Sequence, residues 1–421
     1  MPRMFVTALL GFVALFVLPG CLFGGDDDDP SPTATATAGE TATATTRPVA
    51  TATPDRLATP PASQLDARRW LETAMKSSSY DPPCPEKIQT YGVGCATGDV
   101  DGDGLPELAY LVPVKIPGTQ LPHPSAVFVR GGRSQKLEEF ALDLTADSSL
   151  IGLSFFGLED RTGDGRAELS YLANACGATT CTTTAVVKSW DGTAWRDLAP
   201  GDAGVSNVDA AGWVGRGADT EFTLHGGKLP ANAPVEAGPS RASTTTFALE
   251  GSRFVVESVV RDAPEYLYQA LLDAEEIFAT DKSASVPAFE GLLNRDDLKD
   301  WKSKPGQKDR RPAIEGFALF RILLVAAVQQ RDAATITAAI DRVVLESRKP
   351  GFEPLFPNLA EVFRKNYNPT DGVVGACAAV NLYLSQPAAG GADNGAYVEQ
   401  LFDYGYTNPP GREWVARLCP F

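Results

Sequence analysis

Apolar and polar positions divide this chain into four stretches of different character. Phe5–Leu18 is an unbroken apolar run, shorter than the roughly 20 residues that cross a bilayer. From Gly24 to Pro61 almost no bulky apolar residue remains. Between about Tyr80 and Val260 short apolar runs are punctuated by glycine turns, the pattern of strands and hairpins. From Asp262 onward apolar residues recur at three- and four-residue spacing, the period of helices. The expected fold class is α+β and multidomain: a leader over 1–20, a tether over 21–62, a β-repeat domain over 63–261 and an all-α domain over 262–421.

The β half reads as three units. Ala126–Gly132, Ala185–Gly192 and Thr246–Gly251 are each a strand entering a glycine turn. A second strand follows each, over Leu137–Leu142, Thr193–Leu198 and Arg253–Val260. Upstream of each hairpin lies a loop and a further strand: Gly98–Glu107 before Leu108–Val112, Asp160–Glu168 before Leu169–Leu172, and Gly215–Glu221 before Phe222–Leu224. The turn glycines Gly132, Gly192 and Gly251 fall about sixty residues apart. Units of this length point to propeller-like blades; three are too few to close a propeller, so an open or irregular β-repeat sheet is expected. Trp190 and Trp195 flank the second hairpin turn and are expected to pack across it.

The first loop carries chemistry. Asp99, Asp101 and Asp103 alternate, Gly104 supplies a sharp turn, the carbonyl of Leu105 can face inward and Glu107 can close the shell. Hard oxygen ligands of this kind suit calcium. An EF-hand is excluded, because Tyr110 stands where its bidentate glutamate belongs and a strand follows. The second loop offers Asp160, Thr162, Asp164 and Glu168, one carboxylate fewer and so a weaker site; the third keeps only Asp219 and Glu221. The first loop resembles the FG-GAP/VCBS repeat family, whose Asp-x-Asp-x-Asp-Gly-x-x-Asp loop precedes a strand of a propeller blade. Glu107 replaces the usual last aspartate. The resemblance spans roughly residues 90–260, most closely 95–110, and implies a calcium-binding blade-like domain. Such calcium would be structural, held at extracellular levels of about 10⁻⁴–10⁻³ M.

In the helical half, Asp262 and Pro264 are expected to open a helix over Ala263–Thr280 with Tyr266, Leu267, Ala270, Leu271, Ala274 and Ile277 inward. Pro312–Gln330 is expected as a central buried helix. Asp332 should cap Ala333–Arg348. Shorter helices are expected over Pro287–Asp300, Asn358–Tyr367, Gly372–Ser385, Tyr397–Asp403 and Arg412–Leu418. Trp301, Phe317, Phe320, Phe352, Phe356 and Phe363 read as core. Glu275, Glu276, Glu315 and Glu361 are the acids available for glycan cleavage, and each reads as a solvated helix face.

Leu18-Pro19-Gly20-Cys21, with Arg3 ahead of the apolar run, resembles the lipobox of a bacterial lipoprotein signal, although Pro19 stands where Ala, Ser or Thr is usual. The resemblance implies cleavage before Cys21, a diacylglyceryl group on its sulfur, and anchoring to the cell membrane or outer membrane on the extracytoplasmic side. The acidic run Asp26–Asp29 and the Thr/Ala/Pro-rich stretch to Pro61 lack the apolar bulk to fold and read as a disordered tether. Seven cysteines less Cys21 leave six, an even number for an oxidising compartment. The local pairing is Cys84–Cys95, Cys176–Cys181 and Cys377–Cys419; the alternative joins Cys84 or Cys95 to Cys176 or Cys181. Zinc fits less well, since no Cys-x-x-Cys is present and His123 and His225 stand far from any cysteine.

A net charge of −16 argues against a nucleic-acid partner. No nucleophile elbow, P-loop or complete dinucleotide fingerprint appears, and both histidines read as loop residues. The expected function is therefore non-catalytic: a calcium-stabilised binding or adhesion module at the cell surface for a protein or glycan ligand. The alternatives are an envelope glycan or peptidoglycan hydrolase, or an envelope scaffold, using the helical domain.

Overall fold

Three antiparallel sheets stacked face to face form the first part of the fold. The computed structural model describes residues 61, 64–77, 93–114, 123–131, 137–141, 151–177, 180–200, 204–231, 233–293, 295–301, 309–329, 332–346, 353–368, 370–387 and 393–421. The leader, the tether apart from Pro61, and Cys84 lie outside that set, and so does Cys21, while the described residues belong to one compact unit, Pro54–Phe421.

Helix α1 (Gln64–Ser77) precedes the sheets. The first sheet runs β1 (Gly94–Gly98), β2 (Glu107–Val114), β3 (His123–Arg130) and β4 (Leu137–Ala141) in sequence order. The second holds β5 (Ile151–Glu159), β6 (Glu168–Cys176), β7 (Cys181–Trp190) and β8 (Trp195–Asp197), with β9 (Gly204–Ser206) on the other end of β7. The third holds β10 (Ala210–Val214), β11 (Glu221–Gly226), β12 (Ser243–Glu250) and β13 (Arg253–Arg261). Each sheet is thus a meander of at least four strands. The expected units lacked the strand before each loop: β1 and β10 are short and rich in glycine and alanine, whereas β5 is a nine-residue, largely apolar strand. The sheets do not close into a propeller.

Alternation explains the stacking. In β11, Phe222 and Leu224 point inward between half-buried Glu221, Thr223 and His225. They meet Leu172, Ala185 and Val187 of the second sheet and Phe247 and Phe254 of their own. The other face of the second sheet, with Leu169 and Tyr171, packs on Ala109, Leu111, Val127 and Val129 of the first. The opposite face of the first sheet, with Leu108, Tyr110, Val112 and Phe128, is covered by Ala67, Trp70, Leu71 and Ala74 of α1. Each large side chain so buried contributes about 1.5–3 kcal/mol. Trp190 and Trp195 oppose each other across the second hairpin with ring centroids 5.6 Å apart.

The helical part comprises α2 (Leu267–Thr280), α3 (Ser285–Leu292), α4 (Arg311–Val328), α5 (Ala333–Glu346), α6 (Leu355–Asn366), α7 (Gly372–Leu384), α8 (Asn394–Leu401) and α9 (Gly411–Leu418). Helix α4 is the buried centre, with Phe317, Phe320, Leu323 and Leu324 fully inside. Asp332 caps α5, accepting from the Thr335 N–H at 2.9 Å. Helix α2 starts at Leu267, later than the Asp262 cap predicts. The Asp262 N–H still continues the sheet by bonding Ala242 O at 3.0 Å, and Glu265 and Tyr266 pair with Lys299. Helix α3 ends earlier than expected, at Leu292, where Leu293 N donates to Glu290 O at 3.2 Å. The buried stripe of α2 is rotated from the expected one: Ile277 is exposed, while Tyr268, Glu275 and Phe278 are buried.

Disulfides join Cys176 to Cys181, closing the β6–β7 hairpin, and Cys377 of α7 to Cys419 after α9. Cys95 is also disulfide-bonded. Backbone bonds tie the segment ahead of α9 to the turn Val235–Ala237 in the connection between β11 and β12: Tyr406 N donates to Glu236 O at 3.2 Å and Thr407 N to Ala237 O at 3.1 Å. Among the described residues no helix is long and apolar enough to cross a membrane.

Candidate metal centre

The acidic loops sit where the first strand of a sheet turns into the second. In the first loop, Asp99 accepts the N–H of Gly102 (2.8 Å) and of Gly104 (2.9 Å), one on each carboxylate oxygen. Gly102 and Gly104 have φ of 78° and 80°, a region that glycine enters without steric cost. Asp101 Oδ1 accepts Asp103 N (3.1 Å), and Asp103 Oδ1 accepts Leu105 N (2.8 Å). Glu107, the first residue of β2, is buried and accepts Val100 N at 2.7 Å.

The loop gathers ligand oxygens from Asp99, Asp101 and Glu107, all within 4.8 Å of one another. Oxygens that share a calcium ion at 2.3–2.6 Å lie no more than about 5 Å apart, so this spacing fits one shell. Three like charges this close repel by about 1 kcal/mol per pair even in water. A divalent cation would offset that repulsion. Asp103, expected as a ligand, falls outside the cluster, and the Leu105 side chain is exposed.

The second loop has the same hydrogen-bond skeleton. Asp160 accepts Gly163 N (2.7 Å) and Gly165 N (3.1 Å), and Asp164 accepts Arg166 N (2.9 Å). Glu168 accepts Arg161 N at 2.8 Å, as Glu107 accepts Val100 N. The difference lies at Thr162. Its N–H and hydroxyl both donate to Glu168, each at 3.1 Å. Glu168 therefore has three protein donors. Burial pushes its carboxyl above the usual range, opposed by those hydrogen bonds. Among the described residues no metal-competent cluster forms at Asp160, Thr162, Asp164 and Glu168.

The loops are tied in series. Ala167 N of the second donates to Asp99 O of the first at 2.7 Å, and Gly217 N of the third donates to Arg161 O of the second at 2.8 Å. The third loop is a short 3₁₀ turn, Gly217–Asp219.

Elsewhere the structure revises several site expectations. His225 lies on β11, not in a loop, with Nδ1 2.5 Å from Asp209 Oδ1 and Nε2 3.1 Å from Asp262 Oδ2. His123 begins β3. Glu275 is not on a solvated face: it is buried and paired through both oxygens to Arg321 at 2.7 Å each. Glu276 pairs with Arg261 (2.6 and 2.7 Å), and Glu361 lies 3.5 Å from Arg364. The Glu275–Arg321 pair was hidden from the sequence because its members are 46 residues apart. Its one signal is a charge, Arg321, set among Phe320, Ile322, Leu323 and Leu324.

A scan against protein-family models, a search of curated proteins and a search of solved structures each find no match to the chain.

Proposed function

We propose that this protein is an exported, lipid-anchored binding or adhesion module of the cell surface whose first two sheets are held together by one calcium ion. The observation that carries the reading is the convergence of Asp99, Asp101 and Glu107 to within 4.8 Å on a loop bonded to the second acidic loop, which leads into the second sheet. The lipobox-like sequence at Cys21 supports the anchor, and the two disulfides are compatible with an oxidising, extracellular setting. Three of the four candidate acids for glycan cleavage, Glu275, Glu276 and Glu361, each face an arginine, which favours the same reading. A non-catalytic role follows more directly, with a protein or glycan as the ligand.

The test is calorimetric titration of the chelator-treated full chain with calcium, alongside thermal melting. Saturable binding with Kd of about 10⁻⁴–10⁻³ M is expected. At about thirty times Kd the added stability is about 2 kcal/mol. Asp101→Ala abolishes both effects. No binding heat and no melting shift at millimolar calcium refute the metal reading. Membrane fractionation of Cys21→Ala tests the anchor separately: the variant is released, and retention in the membrane overturns it.

A further inference from the structure

We propose that the cavity between the third sheet and the helices binds a small organic anion, with Nη1 of Arg321 as its buried donor. The cavity has a volume of about 1090 Å³ and lies between β9, β12 and β13 on one side and α2, α4 and the segment after α9 on the other. That is ample for a small ligand, since such sites typically enclose about 300–1,000 Å³.

Arg321 lines the cavity and is 1% exposed. Its Nε and Nη2 bond Glu275. Its guanidinium carbon lies 4.3 Å from the Phe278 ring centroid and 4.8 Å from that of Phe317. One edge and the ring-facing sides of the guanidinium are thereby engaged. The remaining edge is Nη1, which is buried and has no hydrogen-bond partner. A charged donor left unmade in the interior is costly, and a fork of N–H groups matches a planar carboxylate or a phosphate.

Charge on the walls points the same way. Arg241, Arg261 and Arg321 are each matched by a carboxylate that also lines the cavity. Lys282 and Arg417 are not. Arg417 bonds Glu413, which is outside the lining, and among the described residues no carboxylate lies within ion-pair distance of Lys282. With Arg417 offset by Glu413, Lys282 is, among the described residues, the one wall charge left without an ion-pair partner, its Nζ 5.4 Å from the Phe278 ring centroid. Leu229, Leu272 and Phe278 add apolar surface, so the fitting ligand has an oxyanion head on an apolar body. The inference is independent of calcium.

Phenyl phosphate, benzoate and the uncharged benzamide serve as probes, titrated into the full chain by calorimetry with chelator present. Saturable binding of at least one acid and none of benzamide is expected; which acid binds identifies the head group as phosphate or carboxylate. Arg321→Met combined with Glu275→Leu weakens binding about tenfold or more, and Lys282→Ala about three- to tenfold. Near-ultraviolet circular dichroism checks that each variant is folded. If the double variant does not fold, Lys282→Ala decides. Absence of binding by both acids at millimolar concentration, equal binding of benzamide, or wild-type affinity in Lys282→Ala overturns the proposal.

Discussion

Replacing Glu275 by Gln keeps the side chain's shape and removes the charge that faces Arg321. The two partners are 7% and 1% exposed, and their two hydrogen bonds are 2.7 Å each. Burial pulls the Arg321 guanidinium below its ordinary pKa while Glu275 holds it up. Stripping the partner from a buried ion pair costs about 3–5 kcal/mol, because the remaining charge is uncompensated in a medium that solvates it poorly. The Phe278 and Phe317 rings flanking the guanidinium offset only part of that, about 1–2 kcal/mol each at most. At about 2–4 °C per kcal/mol for a domain of this size, Glu275→Gln lowers the melting temperature by roughly 6–20 °C. Apolar replacement of both residues, Arg321→Met with Glu275→Leu, removes both desolvation penalties and is expected to fall within about 1 kcal/mol of the wild type or above it. Urea unfolding of the full chain, followed by tryptophan fluorescence and circular dichroism, reads both. A loss under about 1 kcal/mol for Glu275→Gln, or a double variant as damaged as the single one, refutes the reasoning.

Removing the Cys377–Cys419 bridge by alanine at both positions frees a loop of 42 residues and costs about 4 kcal/mol by the chain-entropy relation, checked by thermal melting. Gly238→Ala strains a residue at φ 86° and drives a Cβ into the Tyr404 carbonyl oxygen, so a loss of at least about 2 kcal/mol is expected; melting within 1 °C of the wild type contradicts it. Asp209, and then Asp262, raise the His225 pKa above its ordinary 6.5. A raised folded-state value means that the histidine's stabilisation is complete below the unfolded pKa and is lost as pH rises through the folded one. His225→Gln therefore lowers the melting temperature at pH 5.5 and has little effect at pH 9; equal effects at both contradict the linkage.

Local pattern revealed much of this fold and little of its long-range chemistry. The hairpins at Trp190–Trp195 and Glu250–Arg253 were legible because alternation and a glycine turn are both local signals. Helix α1 carried a signal as well, with Ala67, Trp70, Leu71 and Ala74 at helical spacing, but it is short and flanked by polar sequence. The start of α2 was misplaced because Asp262 has two possible roles. A helix cap and an acceptor for His225 look alike until the strand carrying His225 is placed. The first acidic loop was legible as a set of acids, but their spacing could not distinguish Asp103, which turns to Leu105 N, from Asp101, which joins Asp99 and Glu107. The Arg321–Glu275 pair needed α2 and α4 to be packed before it could be seen.

Of the four positions at which the two nine-residue acidic loops differ, the one held by Asp101 and Thr162 changes the set of oxygen ligands. Both use two left-handed glycines to wrap the backbone around an aspartate, and both bury a glutamate at the start of the next strand. In the second loop Thr162 donates twice to Glu168, so protein groups neutralise the need that a cation would otherwise meet. In the first, Asp101 stands at the corresponding place and adds a carboxylate instead of a donor. The same skeleton is thus closed by hydrogen bonds in one case and left with concentrated negative charge in the other. The loops are joined in series through Ala167 to Asp99 and Gly217 to Arg161. A cation in the first loop would therefore act at the junction of the first and second sheets, while the junction of the second and third relies on its own packing around Phe222, Phe247 and Phe254. On the calcium proposal, chelation is expected to loosen the former before the latter, as a local clasp would, and not to unfold the whole stack.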